Sequence, residues 1–230
     1  FGVGYLALQN NTTGGYNVAL GHATMTGNIA GSYNNAMGYL ALYSGTSGTN
    51  NNAFGQMALC KNTTGSSNNA IGLYALQNNT TGTDNNGIGY GALRYNTTGT
   101  HSTALGYALY CNTTGGWNFG VGYQSLWKNT TGCYNTALGS QALCGSLSGC
   151  HNFAAGYKAL CMNWGGCHNN ALGYDALRDN TTGGCNTAMG YDALVFNTTG
   201  CHNNAIGQQA LFCNTTGVHN TAIGCKVLWS

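Results

Sequence analysis

Apolar and polar residues follow one another along this chain in a repeating pattern with a period of seventeen. Each unit has Asn at position 1, Ala-apolar-Gly at positions 3 to 5, Ala-Leu at positions 8 and 9, and Asn-Thr-Thr-Gly at positions 12 to 15, as in residues 186–200. The interval between consecutive position-5 glycines is constant, except that it is one residue shorter from Gly106 to Gly122. These glycines are Gly4, Gly21, Gly38, Gly55, Gly72, Gly89, Gly106, Gly122, Gly139, Gly156, Gly173, Gly190, Gly207 and Gly224. A fixed period of this kind indicates a repeat protein.

One unit predicts two short β segments and two turns. Position 2 with the Ala-apolar pair forms the first segment, and Ala-Leu with the next residue or two forms the second. Asn-Thr-Thr-Gly is typical of a turn, because Asn and Gly tolerate positive φ and Asn hydrogen-bonds nearby backbone. The sequence therefore predicts an all-β fold, a parallel β-solenoid (β-roll) of about 13.5 coils, with 17 residues per coil and coils stacked at about 4.8 Å. Leu177 should then stack on Leu160 and Leu194.

The unbroken period predicts a single continuous repeat domain over residues 1–230. The chain begins and ends in mid-repeat, and neither end shows the atypical capping unit that repeat arrays usually carry. We therefore expect an uncapped section of a longer fibre. The residue missing after Gly106 falls at a predicted turn, where we expect it to be absorbed.

Two columns of asparagine suggest ladders of stacked amides. Position 1 is Asn in every complete unit except the one that begins at Ser102, and most units carry a second Asn at position 12. An amide repeated on each coil can donate to one neighbour and accept from the other, as in stacked parallel sheets.

The two apolar pairs predict an outward-facing apolar column. Neighbouring residues on a strand point to opposite faces, so one member of each pair should fill the coil and the other should face outward. Such a column would be a large exposed patch, which soluble monomers avoid, and it predicts an interface between chains. The alternative is a wider coil that turns both members of a pair inward at a bend.

The low charge of the chain argues against nucleic acid and anionic membranes as partners. Only 4% of the residues are charged, the net charge is +2, and no basic or acidic run occurs. Nothing in this distribution would attract nucleic acid or an anionic membrane. No apolar segment approaches the roughly 18 residues that a membrane helix requires, so we expect no membrane insertion.

Units such as Asn-Thr-Ala-Met-Gly-Tyr-Asp-Ala-Leu at residues 186–194 resemble the repeat arrays of phage-type tail-fibre and bacterial surface proteins. They are also similar to the Ala-Ile-Gly repeats of trimeric autotransporter adhesin heads, and the resemblance spans the chain. It implies a left-handed parallel β-roll, three chains side by side, and a structural or adhesive role outside the cell, with a cell-surface receptor as a partner.

The titratable residues do not predict a catalytic or metal site. Asp175 and Asp192 share position 7 on successive coils, near the roughly 5 Å spacing of carboxylates in a retaining glycosidase. Lys158 occupies the same column, which favours a solvated ladder of charges, and we predict no enzyme activity. Five histidines occupy position 17, where other units have tyrosine, and this favours stacked rings over zinc. They are His101, His151, His168, His202 and His219. No cofactor is expected.

Eleven cysteines in a glycine-rich chain suggest an oxidising, extracellular setting, at a cell surface or on a virion. Cys133, Cys150 and Cys167 stack at position 16, and Cys144 and Cys161 stack at position 10, at a spacing within disulfide range. Disulfides within these columns are predicted. Pairing within a loop, Cys144 with Cys150 and Cys161 with Cys167, is the competing arrangement, and free cysteines acting as small hydrophobes are the third.

The Asn-Thr-Thr block carries two further interpretations. It fits the N-glycosylation acceptor pattern at Asn11, Asn62, Asn79, Asn96, Asn112, Asn129, Asn180, Asn197 and Asn214. Its threonines also resemble the ordered arrays of ice-binding surfaces, although adjacent strand residues should not face the same way. From the sequence we expect the structural shaft of an extracellular fibre, a homotrimer or polymeric filament, with an ice-binding solenoid as the alternative.

Overall fold

The computed structural model describes residues 1–229, and the chain divides into two compact units, Phe1–Gly116 and Trp117–Ser230. The first unit contains β1 (Gly2–Val3), β2 (Val18–Leu20), β3 (Asn35–Met37), β4 (Asn52–Phe54), β5 (Asn69–Ile71), β6 (Asn86–Ile88) and β7 (Thr103–Leu105). The second contains β8 (Phe119–Val121), β9 (Thr136–Leu138), β10 (Phe153–Ala155), β11 (Asn170–Leu172), β12 (Thr187–Met189), β13 (Asn204–Ile206) and β14 (Thr221–Ile223).

In each unit the strands lie in chain order, and each one pairs in parallel with the strand of the next coil. The register advances by one repeat, so that Ala171 pairs with Ala188 and Ala188 with Ala205. Outside the strands, the Leu160 N–H donates to the Ala176 carbonyl at 3.0 Å and the Leu177 N–H to the Ala193 carbonyl at 3.0 Å. The predicted parallel β-solenoid, with one sequence repeat in each coil, is confirmed.

Each coil has one strand rather than the two predicted. The strand occupies positions 2 to 4, and positions 6 to 11 form turns. The second segment is not extended because positions 7 and 9 both take a left-handed backbone, as in Asp175 and Leu177, each with φ of 52°. Its N–H groups still bond between coils, so the segment remains in register without forming a strand.

The core is a stack of alanines and leucines. Alanine at positions 3 and 8 and leucine at position 9 are fully buried in most coils, as are Ala171, Ala176 and Leu177. A non-glycine residue with positive φ costs about 1 kcal/mol, whereas complete burial of a leucine contributes about 2 kcal/mol. Burial of the position-9 leucines therefore offsets their backbone strain.

The prediction for the two apolar pairs is right for the first and wrong for the second. In the first pair Ala171 is buried and Leu172 is exposed. In the second pair Ala176 and Leu177 both point inward. The left-handed residues at positions 7 and 9 break the alternation of a strand, and this is the alternative in which a bend turns both residues into the coil.

Buried asparagines form the predicted ladders, by two different patterns. At position 12 the Asn180 amide donates to the Asn163 Oδ1 at 2.8 Å and to the Gly183 carbonyl at 2.9 Å. At position 1 the backbone N–H donates to the amide oxygen one coil earlier, as from Asn186 to Asn169 at 3.0 Å. A third ladder, absent from the prediction, runs along position 2 through Asn35, Asn52, Asn69 and Asn86.

Ser146 interrupts the position-12 ladder, and we expect Ser146→Asn to stabilise the second unit by about 1 kcal/mol. The Ser146 side chain is fully buried, and its hydroxyl has no hydrogen-bond partner among residues 1–229. An asparagine would present Oδ1 to the Asn163 amide and its own amide to the Gly149 carbonyl, as elsewhere in the column. Chemical denaturation followed by circular dichroism measures the change, and a lower midpoint for the variant would contradict it.

The missing residue after Gly106 is absorbed at a turn, as predicted. The coil lacks a position-7 residue, and the φ of Gly106 is 87° where Gly89 has 130°. Leu109 nevertheless remains buried with φ of 52°, and the Asn112 amide reaches the Asn96 Oδ1 at 2.7 Å. The deletion therefore changes one turn and leaves the core and the ladder in place.

Candidate functional site

Positions 4 and 6 carry exposed apolar and aromatic residues in both compact units, and we call this surface the apolar face. Position 4 ends the strand and points outward, opposite the buried alanine at position 3. Position 6 follows the glycine turn, and most of its tyrosines are exposed. In the second unit the exposed members of the apolar face are Tyr123, Tyr157, Leu172, Tyr174, Met189, Tyr191 and Ile223, and in the first they are Val3, Tyr5, Met37, Tyr39, Phe54, Ile71, Ile88 and Tyr90.

The prediction of an exposed apolar column is confirmed at position 4. Leu172 is 45% exposed and Met189 is 38% exposed, although both belong to a regular parallel sheet. In the first unit the column is exposed on four consecutive coils, and in the second unit the half-buried Leu138, Ala155 and Ile206 lie between or beside the exposed members. A stripe of this kind is typical of a surface that contacts another protein.

The tyrosines at position 6 are the part of the face that the sequence analysis missed. Tyr157 stacks on Tyr174 with ring centroids 5.1 Å apart, and Tyr174 stacks on Tyr191 at 5.2 Å. Each of these three rings remains between 39% and 49% exposed, so the stacked column lies at the surface. The frequent Gly-Tyr pair at positions 5 and 6 was the available signal.

Rings also stack at position 17, as predicted. Tyr134, His151 and His168 lie on consecutive coils with centroids 4.9 Å apart and ring planes within 4° of parallel. His202 stacks on His219 in the same manner at 5.0 Å. Within residues 1–229 no three His, Cys, Asp or Glu side chains converge as a metal site would require.

The interpretation of position 7 as a solvated ladder of charges is wrong for Asp175. Its side chain is buried, and its Oδ2 accepts from the Arg178 Nη1 at 2.9 Å. The guanidinium also binds Asp179 with two bonds of 2.8 Å, and both carboxylates raise the pKa of Arg178. Partial burial raises the pKa of Asp192 on the next coil. Arg178 therefore neutralises a local acidic cluster.

Both predicted cysteine columns are present. In the position-10 column the sulfurs of Cys144 and Cys161 lie 2.8 Å apart. In the position-16 column the Cys150 sulfur accepts the Cys133 N–H at 3.2 Å, and the Cys167 sulfur accepts the Cys150 N–H at 3.2 Å. Disulfide formation in either column stays a prediction, and in the first column the two sulfurs are in direct contact.

The predicted glycosylation sites lie inside the position-12 ladder. Seven of the nine asparagines are fully buried, with amides that donate to the glycine carbonyl three residues later: Asn62, Asn79, Asn96, Asn112, Asn129, Asn180 and Asn197. Asn11 and Asn214 are half-buried. A glycan on one of these buried amides would break the ladder, and glycosylation stays a prediction.

The two threonines of the Asn-Thr-Thr block differ in environment. The position-13 hydroxyl donates to a backbone carbonyl of the next coil, as from Thr181 to Thr198 at 3.0 Å. The position-14 threonine, such as Thr182 or Thr199, is exposed. Of the two threonine columns, only position 14 therefore presents hydroxyls that are not donated to a carbonyl of the next coil.

No helix in residues 1–229 has the length and apolar character needed to cross a lipid bilayer. No protein-family model matches the chain, and searches against curated proteins and solved structures find no significant similarity.

Proposed function

We propose that this chain is a structural segment of an extracellular fibre or filament, assembled when identical copies pack side by side through the apolar face. The observation that carries the proposal is the exposed position-4 column, extended by the stacked tyrosines of position 6. A fold in which the same coil is repeated suits a structural role, because its surface repeats with the same period as its core.

A second copy of the chain is the partner that best fits the apolar face. Its apolar groups recur once per coil, and another copy presents the same groups with the same spacing. Identical stripes can then lie along one another over several coils and bury apolar area in each. With 4% charged residues, the chain also brings few like charges together on association. A three-fold arrangement is what the sequence resemblance adds.

Charge placed on the apolar face should dissociate the assembly. We expect Leu172→Lys with Met189→Lys to weaken self-association at least about 100-fold, because two unpaired ammonium groups would be buried at the interface. The matched control, Thr182→Lys with Thr199→Lys, adds the same charge to the same two coils at exposed position-14 sites. Light scattering at several protein concentrations measures the mass, and circular dichroism verifies that each variant keeps the β fold.

The wild-type chain and the threonine control should have the mass of an oligomer, and the face variant should have the mass of one chain. A wild-type chain that remains monomeric at every concentration would overturn the proposal. Equal dissociation of both double variants would show that net charge, rather than the apolar face, controls assembly.

A further inference from the structure

We propose that Cys144 and Cys161 form a reactive dithiol, in which Cys144 attacks small-molecule disulfides and Cys161 then closes a disulfide between two consecutive coils. The ligand class is therefore a low-molecular-weight disulfide, such as oxidised glutathione. The proposal does not depend on self-association.

The geometry of the coil brings the two sulfurs together. Both residues occupy position 10, and their sulfurs are in contact at 2.8 Å. The Gly145 N–H donates to the Cys161 carbonyl at 2.7 Å and fixes the two segments in register. Stacked coils place the two Cα atoms about 4.8 Å apart, within the range that a disulfide spans. Closing the bond therefore needs a small side-chain movement and no change of register.

The environment distinguishes an attacking sulfur from a resolving one. Cys144 is half-buried and open to a reagent, whereas Cys161 is 8% exposed. The hydrogen bond from the Cys161 thiol, with Lys128 and Lys158 nearby, lowers the pKa of Cys144 to about 7 against the opposing effect of burial. The same bond, burial and the nearby carboxylate of Asp175 raise the pKa of Cys161. The pair therefore loses its first proton from Cys144.

The reaction balances with one molecule of a disulfide, RSSR. The Cys144 thiolate attacks one sulfur of RSSR, so that a Cys144–SR bond forms and one RS⁻ leaves. Cys161 passes its proton to solvent and attacks the Cys144 sulfur, which expels the second RS⁻ and forms the Cys144–Cys161 bond. The two protein thiols are oxidised, RSSR is reduced to two RSH, and the two thiol protons end on the leaving groups.

The position-16 cysteines supply an internal comparison. Cys150 lies between Cys133 and Cys167 in a stacked column, where its sulfur accepts the Cys133 backbone N–H and its thiol donates to the Ser148 carbonyl at 3.5 Å. Burial is the largest influence on Cys150 and raises its pKa. A column of cysteines one coil apart is therefore not enough for reactivity, and we expect the position-16 thiols to react slowly near neutral pH.

The test compares two serine variants of the full chain. One variant, Cys133→Ser with Cys150→Ser and Cys167→Ser, keeps the position-10 pair; serine is tolerated at position 16, since Ser32 and Ser66 occupy it in other coils. The other variant, Cys144→Ser with Cys161→Ser, keeps the position-16 column. Each is treated with oxidised glutathione at pH 7.5, blocked with iodoacetamide, digested with trypsin and mapped by mass spectrometry without reduction.

We expect a cross-link between tryptic peptides 129–158 and 159–178 in the first variant and none between these peptides in the second. In single variants, Cys161→Ser should trap glutathione on Cys144, and Cys144→Ser should leave Cys161 largely unmodified. Equal adducts in both single variants, a cross-link only in the second variant, or no cross-link in the first would each overturn the proposal.

A measurement on the unaltered chain guards against variants that fail to fold. At pH 7, Cys144 should react with iodoacetamide about tenfold faster than Cys150, because about half of it is thiolate at a pKa near 7. A trivalent arsenical, which binds two adjacent thiols, should protect Cys144 and Cys161 and leave Cys150 unprotected. Equal alkylation rates, or equal protection of all three, would contradict the assignment.

Discussion

Replacing Gly166 by alanine is expected to destabilise the second unit by about 4 kcal/mol or more, although it adds a single methyl group. An added Cβ would overlap the Gly183 carbonyl oxygen of the next coil and the Asn163 Oδ1, and would lie 2.9 Å from the Asn180 amide nitrogen. The main-chain carbonyl cannot rotate away, because neighbouring hydrogen bonds hold the coil in register. The methyl group would therefore have to separate two coils or break the position-12 ladder.

The neighbouring Gly165 supplies a matched control in the same turn. A Cβ at Gly165 would meet only the Ser148 hydroxyl, at 3.8 Å, and threonine or serine occupies this position in most other coils. Gly165→Ala should leave stability unchanged or raise it by about 0.5 kcal/mol, through the lower entropy of the unfolded chain. Urea denaturation of both variants measures the difference. Similar midpoints for the two alanine variants would show that the coils are less tightly stacked than described.

Asn180→Asp should cost about 4 kcal/mol, although the two side chains have nearly the same size. The Asn180 amide donates to the Asn163 Oδ1 and to the Gly183 carbonyl, and its Oδ1 accepts from the Asn197 amide at 2.8 Å. A carboxylate in the same place would set oxygen against two acceptors and would be a buried charge without a cation. Buried groups that lose their partners in this way carry the full cost of desolvation.

Asn170→Asp is the control for charge and chemistry. Asn170 occupies repeat position 2 and begins β11, ten residues before Asn180, and its side chain is exposed. We expect this change to alter the unfolding free energy by less than about 0.5 kcal/mol. Equal losses at residues 170 and 180 would contradict the view that the buried ladder, rather than a general intolerance of charge, accounts for the effect.

The period fixed much of the fold in advance, since every coil repeats the same small set of positions. The parallel register followed from the period, and the inward Ala171 and outward Leu172 followed from alternation along a strand. Leu177 did not, because its left-handed backbone is a conformation that leucine rarely adopts in other proteins. Nothing in an Ala-Leu pair signals such a turn, and only the stacked coils around it maintain the conformation.

The candidate site was predictable to a smaller extent. Position 4 was expected to be exposed, but the Tyr174 column was not, because its direction depends on the backbone at the preceding glycine. The contact between Cys144 and Cys161 was one of several pairings that the spacing allowed, and hydrogen bonding, which a sequence does not display, separates it from the position-16 column. Burial of Asp175 depends on Arg178, which lies three residues later on the same turn and outside the position-7 column.

Photo-crosslinking from the apolar face tests the central proposal most directly. Tyr174→p-benzoylphenylalanine places a photoreactive ring in the exposed column, and Thr182→p-benzoylphenylalanine places it on the same coil at an exposed position outside the face. If copies pack through the apolar face, irradiation should join chains from residue 174 and yield little or no product from residue 182. Equal yields from both positions, or no product from residue 174 in samples that light scattering shows to be assembled, would contradict assembly through this face.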